Sequence, residues 1–314
     1  MESRPSLFEI LGMSPWRQRL REARFALRGD SYTPPSRFDL TSLRILAPAL
    51  SLQLWLGHRP HGRRVPLYNL FNHRPTPVSA GWSVRKTQVC DFRGGTLTYD
   101  SHNGTDFATP PGTVVVAPAA GRVAVVVSEF HRGGLKIMLD HGDGLCTTAG
   151  HLARSLVEVG ATVARGQPIA LSGASGLNFV GSLLADPPHL HFNVWLDGVP
   201  VDPFARAGET ALWLTGNEPV PNDELFDDEV PDAGFDPARV AAWIAACLDP
   251  DIAERLAAIA DPWLQACETM FAANYYPTRF ARRVNPYAAE HARRPVLDLP
   301  FSATDYEGVV FPAA

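Results

Sequence analysis

Residues 112–173 read GTVVVAPAAGRVAVVVSEFHRGGLKIMLDHGDGLCTTAGHLARSLVEVGATVARGQPIALSG, and this stretch decides the fold. Short runs rich in Val, Ile and Leu are cut at close intervals by Gly-containing turns, the pattern of strands joined by tight connections. Residues 189–201, HLHFNVWLDGVPV, continue it. Gly142-Asp143-Gly144 and Asp197-Gly198 sit between strand-like runs and predict hairpin turns. The expected unit is a mainly antiparallel β domain over residues 92–207 of an α+β chain.

Outward from that unit the texture changes. Ser14-Pro15 predicts a helix start, with Ser as cap, followed by WRQRLREARFALRG, whose Leu20, Phe25 and Leu27 are the apolar positions and whose Gly29 is the stop. RILAPALSLQLWLG and VPLYNLFN, within residues 31–90, fit strands or short buried helices equally, so residues 1–91 form an N-terminal region of undecided fold. Residues 208–236 read as an acidic linker or surface loop, on the strength of EPVPNDELFDDEVPDAGFD at 218–236. Over 237–314 the sequence predicts C-terminal helices, opened by Pro237 and broken at Asp261-Pro262, and then an extended tail, PVLDLPFSATDYEGVVFP.

The 314 residues, 46% hydrophobic and 19% charged, exclude a fibrous or wholly disordered chain. With 28 Lys and Arg against 33 Asp and Glu and no long basic block, the charge of -5 speaks against a nucleic-acid partner. Cys90, Cys146, Cys247 and Cys267 form neither a CxxC pair nor a dense disulfide framework, so they are expected as buried thiols. The first 30 residues show no signal peptide, and no stretch reaches the roughly 18 apolar residues of a membrane span. The expected location is cytoplasmic by default, unless export takes another route.

Three pieces of the β domain carry chemistry: His102-Asn103-Gly104-Thr105-Asp106, Gly150-His151-Leu152 and His189-Leu190-His191-Phe192. In a strand, residues i and i+2 share a face, so His189 and His191 emerge side by side. His102 and Asp106 converge on one side in either a turn or an extended segment. Catalytic zinc takes about three ligands drawn from His and carboxylate, with one position left open. His102, Asp106 and one of the HLH pair give that count, and two histidines remain for acid–base work. Spacing alone leaves metal and metal-free readings level.

The stretch from about residue 95 to 205 resembles the lysostaphin-like zinc endopeptidase domain, also called the LytM domain. The likeness extends beyond HNGTD, GHL and HLHF to their frame: GTDFATPPGTVVVAPAAGRV, LDHGDG, GHLARSLVEVGATVARGQPIALSG and HLHFNVWLDGVPVDP. The resemblance implies a gapped antiparallel sheet related to the duplicated hybrid motif, with Zn2+ in a groove between loops. It implies His102, Asp106 and His191 as ligands, and His151 and His189 as the pair that activates water and stabilises the intermediate. The implied activity is hydrolysis of peptide bonds in peptidoglycan stems or cross-bridges.

This chain departs from the family at several points. Ala149 stands where the family usually has a groove Tyr, and Asn193 where Glu is common. LNFVGSLLADPP, residues 177–188, is longer than the usual connection, which makes Leu177, Phe179 and Leu183 a specificity wall or a plug. Asn103, Ala149 and Phe179 are the candidate groove residues. Two alternatives stand beside the peptidase: a silent metal-binding regulatory module with a covered groove, and a peptidase for a non-wall substrate. His58, His61, His73, His131 and His291 read as surface or loop residues, and His141 as structural. A Cys146–His151 nucleophile pair is disfavoured because the zinc reading uses the same histidine in better company.

Overall fold

A computed structural model of the protein describes residues 4–176, 185–222 and 229–312. Its strands are β1 (Arg64–Asn69), β2 (Thr105–Ala108), β3 (Val114–Val116), β4 (Gly121–Glu129), β5 (Gly134–Asp140), β6 (Leu145–Ser155), β7 (Thr162–Val163), β8 (Pro168–Ser172), β9 (His189–Leu196), β10 (Val199–Val201) and β11 (Gly308–Val310). They form one sheet in the order β11-β1-β2-β9-β6-β5-β4-β7, with β10 beside β9 and β8 joining β3 to β6. The β11–β1 pair is parallel and the other pairs are antiparallel. The turn between β5 and β6 has positive φ at Gly142, Asp143 and Gly144, and the β9–β10 turn has it at Asp197 and Gly198. Consecutive left-handed residues give hairpins whose twist matches that of the strands they join.

Strand alternation divides the buried side chains between two faces. Ile137 and Leu139 of β5 and Leu190, Phe192 and Val194 of β9 enter one core with Phe107, Trp213 and Phe301. Met138, Cys146 and Trp195 enter the other and meet the C-terminal helices there. Those helices are α4 (Pro237–Ala245), α5 (Pro250–Ala257) and α6 (Pro262–Tyr275), each with an Asp cap followed by Pro. The Asp236, Asp249 and Asp261 carboxylates accept hydrogen bonds from first-turn N–H groups that would otherwise lack partners. His189, His191 and Asn193 alternate with the core residues of β9, so they share the face of Trp195. One end of that face is closed by helices and the other carries the histidines.

Segments on both sides of residues 92–207 enter this sheet. VPLYN forms β1, buried at every position from Val65 to Asn69, and so lacks the period-two pattern that would announce a strand. The tail supplies β11, paired through Gly308 and Val309 with Arg64 and Val65. Among the described residues the other α-helices are α1 (Leu7–Leu11), α2 (Trp16–Arg28) and α3 (Pro48–Trp55).

Two expectations about α2 need correction. Its cap is Pro15 with no side-chain bond, because Ser14 is one residue too far out. Its inward face is also different: Leu20 and Leu27 are exposed, whereas Arg19 and Ala26 are buried. Arg19 sets that orientation by donating to Ser128 O and Oγ, at 3.1 and 2.7 Å. Among the described residues no helix is long and apolar enough to cross a membrane. Asp223, Glu224, Asp227 and Asp228 of the acidic stretch, and Leu177, Phe179 and Leu183, lie outside the described residues.

Candidate metal centre

The register between β2 and β9 sets Asp106 directly opposite His191, while β1 places Asn69 opposite Asp106 on the other side. His102 arrives from the turn before β2, where its backbone N–H donates to Tyr99 O. Gly104 makes that approach possible, since a Cβ there would lie 2.7 Å from Phe192 O and 2.9 Å from His191 Cε1. The HNGTD motif therefore has a packing reason for its glycine.

Three donor atoms converge. His191 Nδ1 is 2.7 Å from Asp106 Oδ1, His102 Nε2 is 3.2 Å from the same oxygen, and the two ring nitrogens are 3.3 Å apart. Ligands at about 2.0–2.1 Å around a tetrahedral zinc stand roughly 3.3 Å from one another, so the spacing fits such an ion. The outer atoms are already engaged. His102 Nδ1–H donates to Leu70 O at 2.7 Å, which leaves the Nε2 lone pair facing the cluster, and Asn69 Nδ2 donates to Asp106 Oδ2 at 2.9 Å. Groups that hold the far side of a ligand fix both its orientation and its basicity. The Asp106 carboxyl is held well below its usual range: burial opposes this, but the neighbouring His102 and His189 outweigh it.

The two remaining histidines face the same place. His151 Nδ1–H donates to Ser175 O and His189 Nδ1–H to Pro187 O, each at 2.8 Å, so both Nε2 atoms are free of backbone partners. The rings lie 4.8 Å apart, and His189 Nε2 is 3.8 Å from Asp106 Oδ1. His151 adopts φ 58°, an unusual left-handed conformation for a non-glycine residue, between Ala149 and Leu152, where the pairing of β6 with β5 shifts register. Burial, together with His189 and His191, pushes its pKa well below the ordinary histidine value, so the ring is neutral. For His189, burial favours the neutral ring, but Asp106 and Asp186 outweigh it and raise its pKa.

Of the candidate groove residues, Asn103 is half-buried and taken up by Asn193, whose Nδ2 donates to the Asn103 carbonyl at 2.9 Å and to its Oδ1 at 3.0 Å. Ala149 is not a groove residue. It is 4% exposed and lies opposite Phe192 and Ile137 with its methyl group in the core. Its position on β6 alternates out of phase with the histidine face. Phe179 lies outside the described residues.

Phenol groups reach the cluster from elsewhere in the chain. The Tyr99 ring centroid is 4.5 Å from that of His102, and the Tyr68 centroid 5.7 Å from that of His189. Asp186, whose pKa burial pushes up to about 6, stands beside His189. Sequence reading missed Asn69, Tyr68 and Asp186. The one available signal was VPLYN, and only once it is known to pair with the HNGTD strand.

Other histidines expected at the surface are engaged. His73 Nε2 is 2.8 Å from Asp202 Oδ2, His291 Nδ1 is 2.6 Å from Asp197 Oδ1, and His131 Nε2 is 2.6 Å from the Tyr276 hydroxyl. His141 is held between Ala120 O and Thr147 Oγ1. Cys146 is fully buried against Asp140 and Tyr287, and burial raises its thiol pKa.

The sequence profile described as peptidase family M23 matches residues 100–203, a segment that contains all five of these site residues. The chain carries an M23 domain. An uncharacterized metalloprotease of Haemophilus influenzae is 40% identical to it over 103 residues, which make up 33% of this chain and 20% of that protein. The peptidoglycan DD-endopeptidase ShyB of Vibrio cholerae is 39% identical over 117 residues, 37% of this chain and 26% of that one. Among solved structures, a zinc-containing peptidase from Vibrio cholerae aligns at 32% identity with a TM-score of 0.33, covering 46% of this chain and 39% of that one. The chain thus spans about a fifth to a quarter of the length of these curated relatives.

Proposed function

We propose that this protein is a zinc-dependent endopeptidase that hydrolyses peptide bonds in peptidoglycan stems or cross-bridges. The observation that carries this reading is the convergence of His102, Asp106 and His191, whose ligand atoms all lie within 4.8 Å of one another, beside two further imidazoles whose Nδ1–H groups are taken up by backbone carbonyls. Two nitrogens and one carboxylate oxygen suit zinc, with a position left for substrate. Relatives of the M23 domain named as peptidoglycan endopeptidases support the substrate class.

When bound, zinc supplies Lewis acidity toward the scissile carbonyl and toward a water. The chain's own residues then divide the proton work. His151, neutral and fixed in one tautomer by Ser175 O, takes the proton of the attacking water at Nε2. His189, oriented by Pro187 O, turns its Nε2 to the same space and, when protonated there, donates to the oxygen on which charge develops. Asn69 and Leu70 O hold Asp106 and His102 in place throughout.

Purified sacculi incubated with the protein test the reading. Chelator-sensitive conversion of cross-linked muropeptides to uncross-linked ones supports it, and cross-linked muropeptides left intact overturn it.

One observation favours a second reading, a latent form of the same site. His151 is 5% and His189 4% exposed, so little of either residue is open to a peptide. Full metal loading with no cleavage of any peptide would leave the silent metal-binding module as the better account.

A further inference from the structure

The helix α2 turns an unpartnered face to solvent. At about 100° of rotation per residue, Trp16, Leu27 and Leu20 fall within about 40° of arc, and Arg24, Arg17, Arg28 and Arg21 fill an adjoining sector of about 60°. Trp16, Leu20 and Leu27 are 59%, 62% and 73% exposed, and the four arginines are exposed beside them. Among the described residues none of these arginines pairs with a carboxylate, and Arg17 lies over the Trp16 ring at 5.4 Å.

This orientation is fixed from behind. Arg19 bonds to Ser128, Glu22 Oε2 accepts from the Phe130 N–H at 2.6 Å, and Phe25 packs edge-on to His131 at 4.4 Å. With its inner face pinned at three points, α2 cannot roll to bury Trp16, Leu20 and Leu27. The surrounding sequence shares the bias. Residues 1–64 hold eleven Arg, no Lys and five Asp or Glu, in a chain whose overall charge is -5. Among the described residues, ten of the fifteen exposed large hydrophobic residues lie between Leu7 and Leu56, so apolar exposure is concentrated in this region.

An apolar strip edged by arginines matches a surface that is oily just below a layer of negative charge. Trp and Leu settle at the boundary of headgroups and acyl chains, while arginine stems lie along it and carry their guanidinium groups to phosphates. A second copy of the same face would bring arginine against arginine, and a nucleic acid would have no use for the Trp-Leu strip. We propose that the outer face of α2 docks the protein onto an anionic phospholipid bilayer, with Trp16, Leu20 and Leu27 among the headgroups and Arg17, Arg21, Arg24 and Arg28 on the lipid phosphates. The proposal is independent of the peptidase reading, since no residue of α2 belongs to the metal centre.

Co-sedimentation of the full chain with vesicles tests it. The protein is expected on vesicles of phosphatidylglycerol mixed with phosphatidylcholine, not on phosphatidylcholine alone, and is expected to leave them as salt rises. The triple variant Arg21→Gln, Arg24→Gln, Arg28→Gln is expected to partition about a hundredfold more weakly, at about fivefold per arginine. A control with the same charge change elsewhere, Arg59→Gln, Arg63→Gln, Arg64→Gln, is expected to bind as the parent does. The double variant Trp16→Ser, Leu20→Ser is expected to bind more weakly at every salt concentration, with an unchanged melting temperature. Equal retention on neutral vesicles, no retention on anionic ones, or a triple variant that binds like the parent overturns the proposal. A concentration-dependent dimer lost in Trp16→Ser, Leu20→Ser, with no vesicle binding, also overturns it and assigns the face to self-association.

Discussion

His102 Nε2 and His191 Nδ1 stand 3.3 Å apart, across 89 residues of chain, and both face the same oxygen of Asp106. The strand register produces this meeting, because Asp106 and His191 are direct partners between β2 and β9 and His102 is one turn upstream. Two ring nitrogens and a carboxylate aimed at one point in a buried site are best satisfied by a cation.

Asn69 donates to the carboxylate oxygen of Asp106 that faces away from the histidines. Asn69→Ala is expected to weaken metal affinity about 10- to 100-fold with the fold intact. Competition against a chromogenic chelator measures this. An unchanged affinity would mean that Asp106 needs no such support.

The roles of His102 and His151 separate cleanly. His151→Gln is expected to keep the metal and to lose hydrolysis by about 100- to 10,000-fold, the usual contribution of a positioned base. Steady-state rates alongside elemental analysis of one preparation decide the matter. Full activity in the variant would remove His151 from the proton pathway.

His141 lies away from the metal centre and gives a pH prediction of its own. Its ring is buried, which pushes its pKa down to about 4 despite the bond to Ala120 O, and its Nε2 accepts from Thr147. An unfolded histidine takes up its proton near pH 6.5. As pH falls from about 6.5 to about 4, the unfolded state therefore binds a proton that the native state does not, and stability declines by up to about 3 kcal/mol. Above that window the contribution is flat. Urea midpoints across this range are expected to fall less steeply in His141→Gln than in the parent, and parallel slopes would contradict the assignment.

Trp243 of α4 is fully buried in the cluster that joins the C-terminal helices to Met138, Cys146 and Trp195 of the sheet. Trp243→Ala is expected to cost about 3–5 kcal/mol. A single lowered transition for helix and sheet signals, by circular dichroism and tryptophan fluorescence, is expected if the two unfold together. Separate transitions would make the helices an independent unit.

The residues that carried the β domain in the sequence are those whose pattern is local. HLHF alternates, so the common face of His189 and His191 follows from strand geometry alone. The hairpin turns at Gly142–Gly144 and Asp197–Gly198 are spelled out by residue types that tolerate positive φ.

What escaped depended on distant partners. VPLYN is buried on both faces and so carries no alternation, which hid β1 and with it Tyr68 and Asn69. Ala149 looked like a groove position by analogy with the family, yet its strand phase turns it into the core opposite Phe192. Spacing alone turns Leu20 and Leu27 of α2 inward, but a buried Arg19, bonded to Ser128, sets the inner face instead. His73 and His291 owe their engagement to Asp202 and Asp197, 129 and 94 residues away.

His102, Asp106 and His191 are proposed to hold one zinc ion used for peptide hydrolysis. The most direct test is elemental analysis of the purified chain and of His102→Ala, with peptidoglycan hydrolysis measured on the same samples before and after chelation. About one zinc per parent chain, chelator-sensitive cleavage, and the loss of both in the variant are expected. Cleavage that survives chelation, or a parent chain that takes up no metal when zinc is supplied, would contradict this assignment.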